Sequence, residues 1–436
     1  MLARPSRLSG FWRSCKHARM SRPDPSVANS EAQPRPPELT YGALFLKFLR
    51  FGFLAFGGPV AQIGMIRRDL VEREGWMSGA RFNRLLAVMQ ALPGPEAHEL
   101  CVHMGMRARG RIGGVLAGLG FMAPGLLLML GLAWAYFLID FDRPWIASAM
   151  LAVQAVVIGL ILRAVHRIGA HVLHDRGLWL LAIGAGAATL AGVSFWIVLS
   201  AAGAIHALRA LGKPWLATLV AAGATLLAVA LTVMGTAPSL PELTPAGTDV
   251  AGPGHASAWL IFLSGLKAGL LTFGGAYTAI PFMRQDMAGQ GWISDGQFLD
   301  GVALAGVLPA PLIIFATFVG YVAGGFAGAM AMTAGVFLPA FAFSLIFYER
   351  LESLLDVKAI RALLDGVTAG VVGLIAATSL QLAEGLVAEA GAPGRVAVLA
   401  GVAVLGLVVA YRWKSGWAMP VLVGVAGLIG AMMLGR

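Results

Sequence analysis

Long apolar runs separated by short polar loops cover most of the chain. Nine of these runs lie near 113–138, 146–164, 178–192, 194–208, 215–235, 324–348, 362–388, 394–411 and 417–435. A helix of about 20 apolar residues crosses the hydrocarbon core of a bilayer. Transmembrane β-strands instead alternate apolar and polar positions, whereas these runs are continuously apolar. The pattern therefore predicts an all-α polytopic membrane protein.

Two further regions, 40–110 and 258–323, are apolar but are interrupted by glycine and proline. The first region contains four segments that are each long enough for a half-crossing helix: 44–55, 59–68, 82–92 and 96–106. A full crossing over 85–106 would place strongly basic clusters on both sides of the membrane, against the positive-inside rule. We therefore predict re-entrant segments that break at a Gly/Pro element and return to the same side.

The distribution of charge predicts the topology. The stretch 236–257 contains Glu242 and Asp249 but no lysine or arginine, which is typical of a non-cytoplasmic loop. Five crossings precede it, so the N-terminus is predicted to be cytoplasmic and this linker periplasmic. The loops 163–176 and 348–361 are then cytoplasmic, as are 27 of the 32 lysines and arginines. The exceptions are Arg143, Lys267, Arg284, Arg395 and Arg436.

Four regions follow from this division. We expect a disordered, basic cytoplasmic tail over 1–38, an N-terminal repeat over 39–235, a periplasmic linker over 236–257 and a C-terminal repeat over 258–436. The tail lacks the apolar core of a signal peptide.

The composition fits a membrane protein and argues against other classes. Of the 436 residues, 58% are hydrophobic and 12% are charged, whereas a soluble protein has about a quarter charged. The net charge of +10 is attributed to cytoplasmic loops and not to nucleic-acid binding. Cys15 and Cys101 lie in different surroundings, so we expect no disulfide and no cysteine-based metal site. No phosphate-binding loop or catalytic constellation is present, so we expect neither an enzyme nor a cofactor.

An internal repeat relates the two halves. Phe56-Gly57-Gly58 is repeated as Phe273-Gly274-Gly275, 217 residues later. An ordered series of matches follows: Arg67 with Arg284, Asp69 with Asp286, Trp76 with Trp292, Phe82 with Phe298, Leu92-Pro93-Gly94-Pro95 with Leu308-Pro309-Ala310-Pro311, and Pro124 with Pro339. Such order indicates a duplication. Five crossings between the copies would invert the second relative to the first. We therefore predict two homologous halves as inverted repeats with broken or re-entrant helices, an arrangement typical of secondary transporters.

The breaks are the predicted substrate site. A glycine pair lets the backbone turn and an ion approach closely, and a proline at the first helical position exposes a helix N-terminus. The positive end of a helix dipole binds anions such as sulfate or phosphate. The candidate substrate-binding residues are Phe56, Gly57, Gly58, Pro59, Gln62, Pro93, Gly94, Pro95, Phe273, Gly274, Gly275, Tyr277, Pro309 and Pro311. The alternative for each break is a packing kink.

Four ionisable residues are candidates for coupling or gating. Glu96 and His98 directly follow the first Leu-Pro-Gly-Pro, and ionisable groups at membrane depth are usually functional. Glu96 could instead simply cap its helix. Lys47 and Arg50 share a helix face and could attract an anion, or could reach the cytoplasmic interface with their long side chains.

These motifs resemble the chromate ion transporter (CHR) family in its long, two-domain form. The resemblance rests on FGGPVAQIGMIRRDLVEREGW, LPGPEAHEL, FGGAYTAIPFMRQDM and FLDGVALAGVLPAPLIIFATFVGY and extends from about 40 to 436. It implies chromate export across the bacterial inner membrane, which confers chromate resistance. The family usually has His at the position of Gln62 and Gly at the position of Ala310.

The expected function is therefore a secondary transporter for chromate. A sulfate or related oxyanion transporter and a passive anion channel are the alternatives. The expected partners are a chromate- or sulfate-like oxyanion and the lipid bilayer, with a homodimer as a possible assembly and no nucleic acid.

Overall fold

The computed structural model describes residues 36–91, 93–141, 143–233, 256–273, 275–347, 357–413, 415 and 417–434. The regular structure in these residues is helical, apart from one isolated β-bridge. The predictions of a disordered tail and a periplasmic linker fall on 1–35 and 234–255, outside the described residues, and so do Gly274 and Arg436.

Eight helices form the first half of the chain. They are α1 (Tyr41–Phe53), α2 (Gly58–Ile66, continued by a π-helical segment Arg67–Arg73), α3 (Gly79–Ala91), α4 (Glu96–Tyr136), α5 (Pro144–Val172), α6 (Arg176–Leu190), α7 (Phe195–Ala210) and α8 (Pro214–Val233). Local sequence explains several of the starts. The Thr40 hydroxyl accepts a hydrogen bond from the N–H of Ala43, and the Asp175 carboxylate accepts one from the N–H of Leu178. That N–H also lowers the pKa of Asp175.

The described residues of the second half repeat this order, and no counterpart of α8 is found among them. It contains α9 (Ala258–Leu270), a 3₁₀ turn (Ala276–Ala279), α10 (Ile280–Met287), α11 (Asp295–Val307), a second 3₁₀ turn (Leu312–Ile314), α12 (Phe315–Ala342, continued by a π-helical segment Phe343–Phe347), α13 (Lys358–Ala390), α14 (Pro393–Arg412) and α15 (Ala418–Met433).

Helix length confirms the prediction of an all-helical, multi-span membrane protein. Within the described residues, five helical stretches are long and apolar enough to cross a bilayer: Glu96–Tyr136, Pro144–Val172, Leu312–Ile346, Lys358–Ala390 and Pro393–Arg412. Helix α5 continues to Val172, beyond the end of the predicted apolar run at 164. Its last turns therefore lie in a segment that was predicted to be a loop, because a helix can continue while basic side chains face water.

Two of the long helices contain the same backbone irregularity. In α4, Arg109 has φ −143° and ψ 31°, and Gly110 has φ 64° and ψ −161°. In α12, Gly324 has φ −146° and ψ 23°, and Gly325 has φ 62° and ψ −154°. A positive φ is unfavourable for residues with a side chain, which explains a glycine at the second position of each pair. The irregularity thus divides each long helix into a short first segment, which follows the Pro-x-Pro break, and a longer apolar second segment.

The two halves are interlocked by exchanged helix pairs. The first-half helices α6 and α7 pack on α13 of the second half, and α14 and α15 pack on α5 of the first half. Small residues allow the close approach that membrane helices use. A Cβ atom added at Gly366 of α13 would lie 2.5 Å from the backbone oxygen of Ala202 in α7. Helices α1 and α9 stay with their own halves and pack on α4 and α12, which contact each other.

Four of the five cations that were predicted to lie away from the cytoplasm are described, and each has a polar partner. Arg143 contacts Asp140 at 3.1 Å, Lys267 pairs with Asp286, and Arg284 contacts Asp295 at 2.7 Å. The Arg395 guanidinium donates to the Ser148 hydroxyl at 3.2 Å and to the backbone oxygen of Leu434 at 3.1 Å. Such pairing lowers the cost of placing a charge at or within a membrane.

Candidate functional site

The two glycine breaks adopt backbone conformations that require glycine. Gly57 and Gly58 have φ values of 88° and 76°, and Gly275 has φ 119°. A Cβ atom added at Gly58 or Gly275 would meet no heavy atom within 4 Å. Backbone conformation, and not crowding, therefore explains glycine at both positions. Helix α2 begins at Gly58, with Pro59 in its first turn, as the sequence predicted.

Each half contributes a loop that contacts the break of the other half. The N–H of Gly94 donates to the backbone oxygen of Thr272 at 2.8 Å, and Pro93 and Phe273 form the isolated β-bridge. In the reciprocal contact, the Nε2 of Gln62 donates to the backbone oxygen of Ala310 at 3.0 Å and to that of Ala55 at 2.8 Å. The structure thus brings the four predicted breaks together at the contact between the halves.

Gln62 has a defined structural role at this contact. Its side chain is buried, with 1% exposed, and its Nε2 is occupied by two backbone oxygens. The amide therefore fixes the Leu-Pro-Ala-Pro loop against the first break. Nearby, Phe56 stacks on Trp417 at 5.4 Å between ring centroids.

A basic cavity of about 780 Å³ reaches the breaks. Its lining includes Pro59 at the glycine break of the first half, Tyr277 just after the glycine break of the second half, and Glu96 at the start of α4. In the part of the chain that the structure describes, four arginines line it: Arg84 of α3, Arg163 and Arg167 of α5, and Arg361 of α13. His171, His174 and Asp365 also lie on its wall. We call this space the basic cavity.

Charge in the basic cavity favours an anion. Among the described residues of its wall, four guanidinium groups outnumber two carboxyl groups, those of Glu96 and Asp365. Gln90 donates a side-chain hydrogen bond to Glu96, and Arg167 acts on the same carboxyl through its charge. A cleft with one dominant sign of charge raises the local concentration of the oppositely charged ion. The cavity is therefore suited to an oxyanion, which arginine also recognises by its fork of N–H donors.

The predicted coupling residues do not all reach this cavity. Glu96 is 8% exposed and lies on its wall. His98 is fully buried between Phe337 and Phe341, at centroid distances of 4.9 and 4.7 Å, and is absent from the lining. Lys47 lies 2.5 Å from a carboxylate oxygen of Glu74 and is therefore occupied by an ion pair.

Several other predicted residues also lie outside the cavity lining. Arg50, in the last turn of α1, is exposed and is not on the wall. Phe56, Gln62 and the prolines Pro93, Pro95, Pro309 and Pro311 belong to the contact between the halves and not to the wall.

The sequence analysis missed the arginines of the basic cavity. It treated Arg163, Arg167 and Arg361 as topology markers in cytoplasmic loops, whereas helices α5 and α13 place them on one wall. Arg84 carried a signal that could have been used. It lies two residues after Phe82, so its repeat counterpart is Asp300, two residues after Phe298. A reversal of charge within an otherwise matched repeat marks a position where the two halves differ in function.

The repeat counterpart of Arg84 is buried and hydrogen-bonded. Asp300 is 4% exposed, and its carboxylate accepts hydrogen bonds from the Tyr136 hydroxyl at 2.8 Å and from the Nε2 of Gln154 at 2.9 Å. Gln154 lies five residues before Gly159 in VVIGLI, and Thr368 lies five residues before Gly373 in GVVGLI. Thr368 lines the basic cavity with Arg84. Equivalent positions are thus hydrogen-bonded and buried at Asp300 but line an open space at Arg84.

Comparison with known proteins identifies relatives along almost the whole chain. The chromate transporter family profile matches residues 42–241 and again 259–431. A chromate transport protein of Pseudomonas aeruginosa is 58% identical over 395 residues, which cover 91% of this chain and 93% of that protein. A chromate transport protein of Cupriavidus metallidurans is 32% identical over 414 residues, which cover 94% and 96% of the two chains. No solved structure matches the chain.

Proposed function

Because the chain belongs to the chromate transporter family, we propose that it is a secondary transporter that exports chromate across the bacterial inner membrane. Membership of a transporter family also confirms the prediction that the chain is not an enzyme. The observation that carries the proposal is the basic cavity, because it leads from arginine-rich helix ends to the two glycine breaks.

The substrate would bind where the basic cavity meets the breaks. Helices α2 and α4 start there, at Gly58 and Glu96, and their first N–H groups and positive dipole ends favour a dianion. Tyr277 adds a hydroxyl to the same wall, and the arginines draw the ion inward. No covalent step is needed, since transport requires only binding and a change in access.

The two halves are proposed to be inverted repeats with re-entrant segments. Support comes from helices of equal length at matched positions: Tyr41–Phe53 with Ala258–Leu270, and Gly79–Ala91 with Asp295–Val307. The matching irregularities at Arg109–Gly110 and Gly324–Gly325 add a second kind of support, because they rest on backbone angles. Helix α8 has no counterpart among the described residues of the second half and would supply the odd crossing that inverts it.

Orientation of the basic cavity toward the cytoplasm follows from its lining. The loops 163–176 and 348–361 are predicted to be cytoplasmic, and Arg163, Arg167 and Arg361 come from these two segments. The described conformation would then be open inward and closed outward around Asp300, Tyr136 and Gln154. Export would require the opposite arrangement, in which the Asp300 side opens and the Arg84 side closes.

Transport into inverted membrane vesicles tests the function. Uptake of radiolabelled chromate should saturate, depend on the protein and accelerate when unlabelled chromate is present on the opposite side. Labelled sulfate, measured in parallel, decides between chromate and a related oxyanion as the main substrate. A flux that does not saturate and shows no countertransport would contradict the carrier and support a channel. Absence of chromate uptake by inserted protein would overturn the proposed substrate.

Topology is tested with single cysteines in intact cells. A cysteine within 236–257 should react with an impermeant thiol reagent, whereas cysteines beside Arg73 and Arg109 should be protected. Because these two positions flank the second predicted re-entrant hairpin, external labelling of either one contradicts the re-entrant arrangement.

A further inference from the structure

A second carboxyl group lies behind the wall of the basic cavity. Glu99 belongs to the first turns of α4 and is 0% exposed. Within the described part of the chain, neither of its carboxyl oxygens has a hydrogen-bond partner. A Cβ atom added at Gly94 would lie 2.5 Å from the Oε1 of Glu99, so the carboxyl group points into the Pro-Gly-Pro break. This residue was not among the candidates from the sequence, although it lies in the same LPGPEAHEL motif.

Among the described residues, no cation acts on Glu99 through its charge. On its own helix, the group that acts on it through charge is Glu96, which has the same sign and lies one turn earlier on the cavity wall. Arg81 of α3 and Arg107 of α4 act on His103, and His98 packs between Phe337 and Phe341.

Two described neighbours from the second half, Ala340 and Ser344, are uncharged. Ala340 approaches the same glycine of the break, and the Ser344 hydroxyl donates to the backbone oxygen of Glu99 at 3.4 Å. A buried carboxylate with neither a counter-ion nor a hydrogen-bond donor is strongly disfavoured, and the neutral acid is favoured instead. The surroundings of Glu99 therefore favour the neutral form of its carboxyl group in this conformation.

We propose that Glu99 is the proton-binding site of the transporter and that its proton moves together with the oxyanion. This inference rests on the proposed function and adds the coupled ion. A dianion at the break stabilises the proton on Glu99, and the neutral acid avoids repelling the dianion, so the two bind together. Glu96 connects Glu99 to the water of the basic cavity. A proton binds a carboxylate oxygen at loading and leaves it at release, without any redox change.

Proton co-transport has a defined electrical consequence. Chromate with two negative charges and one proton moves as a unit with one negative charge. The electrical part of the driving force favours outward movement of such a unit when the cell interior is negative. Without the proton, two charges would move for each chromate.

Charge stoichiometry in proteoliposomes tests this proposal directly. At equal pH on both sides, a tenfold chromate gradient carried with one net charge is balanced by about 59 mV, and one carried with two charges by about 30 mV. We expect the first value for the unaltered protein and the second for Glu99→Gln, which keeps the shape but not the proton. The exposed residue Glu384 provides a matched control, and Glu384→Gln should keep the unaltered value. Equal values for the protein and Glu99→Gln, or two charges in both, would overturn the proposal.

Infrared spectroscopy separates this proposal from the proposed function and from poor folding of the variant. The purified protein at neutral pH should show the C=O stretching band of a protonated carboxyl group, shifted in D₂O and reduced in Glu99→Gln. Absence of this band from the unaltered protein overturns the proton site even if chromate is transported. Its presence in a protein that transports no chromate supports the site while the proposed function fails.

Discussion

Two matched regions of the molecule carry opposite charges and differ in their access to water. Arg84 of α3 lines the basic cavity with Thr368, whereas its counterpart Asp300 of α11 is buried and hydrogen-bonded to Tyr136 and Gln154. The helices themselves have equal lengths of 13 residues. A duplicated fold can therefore provide one region that attracts an anion and a matched region that is closed by hydrogen bonds among Asp300, Tyr136 and Gln154. The two matched helices thus differ in the side chain at this position and not in length.

The Pro-Gly-Pro break of the first half also differs from the Pro-Ala-Pro break of the second half. After Pro-Gly-Pro, helix α4 starts directly at Glu96, with Gly94 at φ 146°. After Pro-Ala-Pro, a 3₁₀ turn over Leu312–Ile314 precedes α12, and Ala310 is buried. Ala310 and Leu312 replace the flexible and the charged residue of the first half. The Pro-Ala-Pro break therefore serves mainly as a contact surface for Gln62.

Valine at the glycine breaks should have the largest effect. Gly58→Val and Gly275→Val would each place a β-branched residue at positive φ, and left-handed conformations cost L-residues about 1–2 kcal/mol even without a β-branch. Because space is available at both sites, we expect inserted protein with chromate transport reduced by more than about tenfold, equivalent to about 1.4 kcal/mol. Vesicle uptake normalised to inserted protein measures this.

The ratio of the transport loss in Gly58→Val to that in Gly275→Val tests the comparison between the two halves. Gly64, within α2, also has no atom within 4 Å of an added Cβ and has no positive φ, so Gly64→Val is the matched control with near-normal transport. Full activity of either break variant would remove the breaks from a shared substrate site. A large loss at one break only would restrict the site to one half.

Removal of an arginine from the basic cavity should have the next largest effect. Arg84→Gln or Arg167→Gln removes a positive charge from the path of the anion, and we expect the KM for chromate to rise by about tenfold. The effect should shrink at high salt because ions screen the charge. Arg111, which is exposed and does not line the cavity, provides the control Arg111→Gln. An unchanged KM in both cavity variants would refute electrostatic attraction by this wall.

Weakening of the hydrogen bonds of Asp300 should have a smaller effect, which is measured as the accessibility of α11 to a thiol reagent. Asp300→Asn keeps the size but removes the charge from two hydrogen bonds, each of which contributes about 1.5–3 kcal/mol when charged. We expect an impermeant thiol reagent to label Leu304→Cys, one turn later on α11, several-fold faster in this background. Asp140→Asn, at an exposed ion pair, should leave the labelling rate unchanged. Equal rates in both backgrounds would contradict a closing role for Asp300.

The smallest effect is expected at the reciprocal contact between the halves. Gln62→Met keeps the approximate side-chain volume but leaves the backbone oxygens of Ala55 and Ala310 without their donor. We expect a loss of about 1–3 kcal/mol in stability and a Tm lower by a few degrees in detergent. Gln285→Met, at an exposed position of α10, serves for comparison in the same unfolding assay. An unchanged Tm would mean that Gln62 does not fix the Pro-Ala-Pro loop.

Most helices and their breaks were predictable because they depend on local sequence. The apolar run predicted over 178–192 corresponds to α6 at Arg176–Leu190, and the half-length segment predicted over 44–55 corresponds to α1 at Tyr41–Phe53. Glycine and proline set the break positions because each constrains the backbone at its own position. The repeat then indicated that the breaks act together.

The basic cavity was not predictable by the same reasoning. Arg167 and Arg361 are 194 positions apart, and only the packing of α5 and α13 places them on one wall. The exchange of helix pairs between the halves likewise depends on contacts between distant segments, which the local hydrophobic periodicity does not predict. Glu99 was overlooked because the sequence does not show that its carboxyl group lacks a partner.

The exchange of helix pairs also constrains how the protein is made. During synthesis, α6 and α7 enter the bilayer while their partner α13 is still to be translated, about 150 positions later. The close-packing surface around Gly203, which contacts α13 in the finished molecule, must face lipid or the insertion machinery until then. The first half consequently completes its packing only when the last helices arrive, so the two halves mature as one unit.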